Sequence, residues 1–226
     1  AAQLAAAPGP SAEFWLNLQD SYLLGKQAQD SHTRENLDAV KTRARLRELA
    51  PVPLLVKRGF ITATDPEGQS REVLRLFGMQ SFDEELTIRF AARRSNPDEA
   101  VNVLQRAWVA CVKASAQALE VSPYTRDGLE KLAEQLSGRA RKPEEFSAFQ
   151  ALFAEVGVKL IYVLAFPGGK LDGCALMVAG TPVIGVSGRW KRLDKVLFTI
   201  LHEVAHVLLG HVSDNGQVIV DDLSEE

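Results

Sequence analysis

The chain is expected to be an α+β protein: helices through its first two thirds, then a small sheet and one site-bearing helix. Three observations predict this. Apolar residues recur at three- and four-residue spacing up to about residue 155. After Gly157 the pattern turns β-rich in Val158-Lys-Leu-Ile-Tyr-Val-Leu-Ala-Phe166, followed by a hairpin signal. A strongly periodic helix then follows, and three of the chain's 4 histidines fall between positions 202 and 211. With 226 residues, 46% hydrophobic and 24% charged, the chain has ample core for one large domain or two small ones. Its net charge of −3 gives no general attraction to nucleic acid or anionic membrane.

Taken in order, Ser11 is placed to cap a helix on which Phe14, Trp15, Leu18 and Tyr22 line one side. The ten residues before it supply little to cover those aromatics, so this helix reads as the tail of a domain. Residues 32–49 form a basic, weakly amphipathic helix through Leu37, Val40, Ala44 and Leu49, ended by Pro51 and Pro53. A short helix through Leu54, Leu55 and Val56 stops at Gly59, and Asp65-Pro66-Glu67-Gly68 reads as a turn. Helical periodicity returns at about 70–77, 98–120, 126–137 and 144–155. The middle is therefore expected to be a bundle of short helices, with no repeat and no low-complexity tract.

Beyond Gly157, the run 158–166 has the composition of a strand buried on both faces, ended by Pro167-Gly168-Gly169. Residues 174–178 and 183–187 make a hairpin across Ala179-Gly180-Thr181-Pro182, and Gln217-Val-Ile-Val220 is a last short strand. No apolar run is long enough to span a membrane, and the Ala-rich start lacks the basic region of a signal peptide. The 2 cysteines, Cys111 and Cys174, are too few for a disulfide framework and read as small buried hydrophobes in a reducing cytoplasm.

The chemistry is concentrated in Leu201-His-Glu-Val-Ala-His-Val-Leu-Leu-Gly-His211. Two imidazoles four residues apart on a helix, His202 and His206, point the same way and can share one Zn²⁺. Glu203 sits where it can take a proton from a water that the metal acidifies. Leu193, Val196, Leu197, Ile200, Leu201, Val204, Val207 and Leu208 define an apolar stripe. At about 100° per residue the two histidines lie roughly opposite its centre, so they are expected to face an open cleft. Gly210 is a helix stop. Packed or solvated histidines are the alternative for such a helix, but the stripe argues against it.

Several of these residues carry a resemblance. Leu171-Asp-Gly173, Thr181-Pro-Val-Ile184, Lys191-Arg-Leu-Asp194 and Phe198-Thr-Ile-Leu-His-Glu-Val-Ala-His206 together resemble the ImmA/IrrE metallopeptidase family, over about 146–226. Residues 11–20 resemble the closing helix of an Xre-type helix-turn-helix. The resemblance implies three parts: a helix-turn-helix remnant over 1–30, a helical linker bundle over 31–145, and a zincin-like metallopeptidase domain over 146–226. It implies a zinc-dependent cytoplasmic endopeptidase that cleaves a repressor or antitoxin, with His202 and His206 as ligands and Glu203 as base. The family's third ligand is a glutamate on a helix after the strand that follows the metal helix. Ser224-Glu225-Glu226 resembles the start of that helix, and Asp221, Asp222 and Glu226 are the fallback donors. Both ends thus read as interior sequence. The chain as it stands is expected to hold zinc weakly and to contact DNA only through helix-turn-helix residues it lacks. A homodimer is compatible with this reading.

His211 could touch the metal or an oxyanion, but a histidine just past a helix end is more often solvated or a carbonyl cap. His32 reads as a surface residue, and Lys41, Arg43, Arg45 and Arg47 as a solvated face. Arg189, Lys191 and Arg192 fit either an acidic substrate segment or structural pairing, and Trp108 and Trp190 read as packing anchors. A second class of function stays open: a non-catalytic, antitoxin-like DNA-binding regulator whose peptidase fold serves as a sensor or partner-binding domain.

Overall fold

The computed structural model describes residues 12–29, 31–84, 89–93, 102–139, 143–189, 192–213 and 217–221. Side chains of some residues within these spans, among them His32, the strand at 89–93 and Asp221, are outside the description. The chain divides once, into Ala1–Arg47 and Glu48–Glu226. The sequence boundary expected near residue 145 is not where the chain parts, because helices before it pack on the sheet that follows it. Among the described residues no helix is long and apolar enough to cross a membrane.

The first unit contains α1 (Ala12–Gln29) and most of α2 (Ser31–Leu49). Phe14, Leu18 and Tyr22 of α1 are exposed, and Phe14 meets Trp15 edge-on with ring centroids 5.7 Å apart. Lys41, Arg43, Arg45 and Arg47 are all exposed on α2.

The second unit is an α+β structure whose elements run α3 (Val52–Lys57), α4 (Pro66–Phe77), β1 (Arg89–Arg93), α5 (Val103–Gln117), α6 (Arg126–Arg139), α7 (Pro143–Glu155), β2 (Lys159–Tyr162), β3 (Gly173–Val178), β4 (Thr181–Val186), α8 (Leu193–Leu208) and β5 (Gln217–Asp221). The segment read as a turn at Asp65 is the start of α4. The Asp65 carboxylate accepts from Gly68 N at 2.7 Å, with Pro66 inside the first turn. α5 opens on a reciprocal cap, Gln105 N donating to Asn102 Oδ1 at 2.9 Å and Asn102 N donating to Gln105 Oε1 at 3.1 Å.

The five strands lie in the order β1-β5-β3-β4-β2. β3 runs antiparallel to both its neighbours, while β1 pairs with β5, and β2 with β4, in parallel. The middle of the chain is thus not purely helical, since β1 comes from it. The β3–β4 hairpin turns on two residues, Ala179 and Gly180, both at positive φ, the geometry whose twist suits a tight hairpin. Pro182 therefore falls inside β4, opposite Met177. It is tolerated because β2 begins to pair with β4 only at Val183, so no partner is denied a donor.

Alternation along the strands sorts side chains to two faces. Leu160, Ala175, Ile184 and Val186 join Leu129, Leu136, Phe149 and Phe153 of α6 and α7 and Ile200, Val204 and Val207 of α8 in one core. The opposite face takes α5, which packs on β2, β3 and β4. There Trp108 is 2% exposed and its indole N–H donates to Val163 O at 2.9 Å, an anchor as its sequence context suggested. Cys111 and Cys174 are buried free thiols.

β2 is shorter than the 158–166 run and is not buried on both faces. Leu160 lies beneath the helical core, but Tyr162 on the same face only reaches its margin, its hydroxyl donating to Phe146 O at 3.4 Å, and Leu164 is exposed. The cause is position: β2 is an edge strand.

Candidate metal and acid–base site

α8 carries the histidine motif, and its apolar residues seat it against β3, β4 and α6. Its two buried stripes are adjacent, one being Ile200, Val204 and Val207 in the core and the other Thr199, Glu203 and His206, of which Thr199 and Glu203 lie against β3. The expectation that the motif faces an open cleft needs correction. His206 is 4% exposed and Glu203 is fully buried, while His202 is partly exposed at the margin. The solvent side of α8 is instead formed by Asp194, Phe198, Ala205 and Leu209. Helical rotation explains this: a residue about 100° from the apolar stripe still lies over a sheet wide enough to cover both.

Two features place the Glu203 carboxylate. First, Gly173 opens β3 directly beneath Glu203. A Cβ there would overlap Glu203 Oε1 and stand 2.7 Å from Thr199 Cγ2. The missing side chain is what admits the carboxylate between helix and strand. Second, Thr199 is fixed by its own hydroxyl, which donates to Lys195 O at 2.9 Å. The backbone of Asp221 pairs with Gly173, which sets that residue at the site's strand register. Its side chain, and all of Asp222, Glu225 and Glu226, lie outside the described residues.

The ring nitrogens converge. His206 Nε2 stands 3.3 Å from His202 Nε2. Two nitrogens held at about 2.05 Å from one tetrahedral zinc are about 3.3 Å apart, so the pair already spans one edge of such a coordination sphere. Among the described residues no group of three or more His, Cys, Asp or Glu donors is arranged to hold a metal. The described donor set is this imidazole pair. The other ring nitrogen of His206, Nδ1, lies 2.9 Å from His211 Nδ1. His211 is thus neither simply solvated nor only a cap, and sequence position alone did not reveal that contact.

Two of the cationic residues before α8, Arg189 and Arg192, are engaged structurally. Arg192 forms a two-point pair with Asp194, at 3.2 and 2.7 Å, and the same arginine holds the Asp194 carboxyl below its usual range. Arg189 approaches the buried Asp172 at 3.8 Å. Lys191 and Trp190 fall outside the described residues. At the far end of α8, Arg126 donates to Leu208 O at 2.6 Å and satisfies a terminal carbonyl.

No family model matches the chain, and no curated protein or solved structure matches it either.

Proposed function

We propose that this chain belongs to a zinc-dependent endopeptidase acting in transcriptional regulation. The observation that carries the reading is the 3.3 Å separation of His202 Nε2 and His206 Nε2 beside a buried glutamate on the same helix. Such a separation suits one shared metal, and the adjoining carboxylate suits proton transfer.

His202 and His206 would hold zinc through Nε2. Bound there, the ion supplies Lewis-acid polarisation and acidifies water near neutral pH. Glu203 acts as general base toward the attacking water and delivers that proton to the leaving amine. β3 and α8 shield its carboxylate from bulk solvent, which strengthens its interactions with the reacting groups. The substrate class, a repressor or antitoxin protein, rests on the resemblance to ImmA/IrrE peptidases in residues 171–206.

Zinc content tests the metal half of this reading. Wild-type full-length protein and Glu203→Gln are expected to bind zinc alike, since the glutamate is no ligand, whereas His202→Ala and His206→Ala lose it. Undiminished zinc binding by both alanine variants would end the proposal.

A further inference from the structure

We infer that His211 is a positioning residue that fixes the tautomer of His206, so that His206 presents a bare Nε2 to the metal. The inference rests on the metal reading of His202 and His206 and adds a role to a residue outside the ligand pair.

The arrangement begins in the backbone. Gly210 follows α8 with φ 70°, the left-handed conformation that ends a helix and that glycine adopts without strain. Two bonds then reverse the chain: His211 N donates to His206 O at 3.0 Å, and Gly210 N donates to Val207 O at 3.1 Å. This is the paired closure in which the residue after the left-handed glycine folds back over the last helical turn, usually with an apolar contact. Here the two residues so joined are both histidines, and the contact is between rings. Their centroids are 5.1 Å apart, and Nδ1 of one faces Nδ1 of the other at 2.9 Å.

A neutral imidazole has one N–H and one lone pair. Two Nδ1 atoms at hydrogen-bond distance therefore require one to donate and the other to accept. If His206 donates, its proton is on Nδ1 and its Nε2 carries the lone pair, directed toward His202 Nε2 at 3.3 Å. If His211 donates, the neutral His206 must be protonated on Nε2 and is closed to a metal. Histidine ligands elsewhere have this same outer partner, an acceptor for the nitrogen that does not bind metal. The structure assigns that acceptor to His211 Nδ1, delivered by the helix terminus rather than by a carboxylate.

The test compares His211→Phe, which keeps a ring over the helix end but has no acceptor, with His211→Asn, whose Oδ1 can accept near the Nδ1 position. Zinc affinity of the full-length proteins is measured by chelator competition. The tautomer of His206 is read by long-range ¹H–¹⁵N NMR in the metal-free state. Expected are a roughly 10–100-fold loss of zinc affinity in His211→Phe, recovery to within a few-fold in His211→Asn, and a proton on His206 Nδ1 in the wild type. Wild-type affinity in His211→Phe, equal losses in both variants, or a wild-type proton on His206 Nε2 would each overturn the inference. If the wild type binds no zinc, the metal reading fails by itself, and the metal-free tautomer still decides the His206–His211 pairing.

Discussion

Replacing Gly173 with alanine puts a methyl group where the structure has room for none. The added Cβ would overlap Glu203 Oε1 and lie 3.1 Å from Glu203 Cδ and 2.7 Å from Thr199 Cγ2. Comfortable separation between such atoms is about 3.5 Å, so the carboxylate or the helix must retreat by ~1 Å. Neither yields easily, because Glu203 is fully buried and Thr199 is tied to Lys195 O. Overpacking of this kind costs about 1–3 kcal/mol. For a unit of this size that lowers Tm by roughly 2–12 °C. A ~1 Å displacement of an acid–base group also costs about 10²-fold in turnover. Zinc affinity should hardly change, since the three atoms nearest the new methyl belong to Glu203 and Thr199 rather than to His202 or His206. Thermal melts, chelator competition and cleavage rates on one preparation measure all three. A Gly173→Ala protein that melts within about 1 °C of the wild type would show that Glu203 is not seated against β3.

Three further outcomes are expected. Trp108→Phe removes the donor to Val163 O and should cost about 1–2 kcal/mol in urea unfolding; an unchanged midpoint would mean the bond contributes nothing. Burial pushes the Cys111 thiol up to about 12, opposed only by Arg58, so iodoacetamide at pH 8 should modify it in unfolded but not native protein; rapid native labelling would contradict this. The Glu72 carboxyl is held below its usual range by hydrogen bonds from Ala63 N, Thr62 N and the Thr62 hydroxyl. A lowered folded-state value means the stabilisation is present above the ordinary carboxylate range and is lost as pH falls through the lowered value. The stability gap between wild type and Glu72→Gln should therefore narrow from pH 7 to pH 3, and a constant gap would refute the assignment.

Periodicity made α8 legible because its stripe is long and its stop, Gly210, is a strong local signal. The same held for α6 and α7. Asp65-Pro66-Glu67 was ambiguous, since a cap followed by proline opens a turn and a helix alike; the helix won because Val73 and Phe77 of that segment are buried. β1 is hard to read from sequence because the period-two alternation of Leu86, Ile88 and Phe90 with Thr87 and Arg89 reaches only its first two residues, Arg89 and Phe90. The extent of β2 was misjudged because apolar composition does not show that a strand lies at an edge. Within the site, His202, Glu203 and His206 follow from spacing along one helix. The roles of Gly173 and His211 do not, since one arises from a sheet strand meeting a helix and the other from a chain reversal. The reversal was partly readable: a glycine after a helix returns the next residue to the last turn, which from Gly210 points His211 at His206.

The central claim is tested most directly by incubating the zinc-loaded protein with a candidate repressor or antitoxin protein and following the products by mass spectrometry. Wild type is expected to cut that protein at a defined peptide bond, and Glu203→Gln, with its zinc retained, to leave it intact. Cleavage by Glu203→Gln at the wild-type rate would contradict the account, as would an intact substrate after incubation with the zinc-loaded wild type.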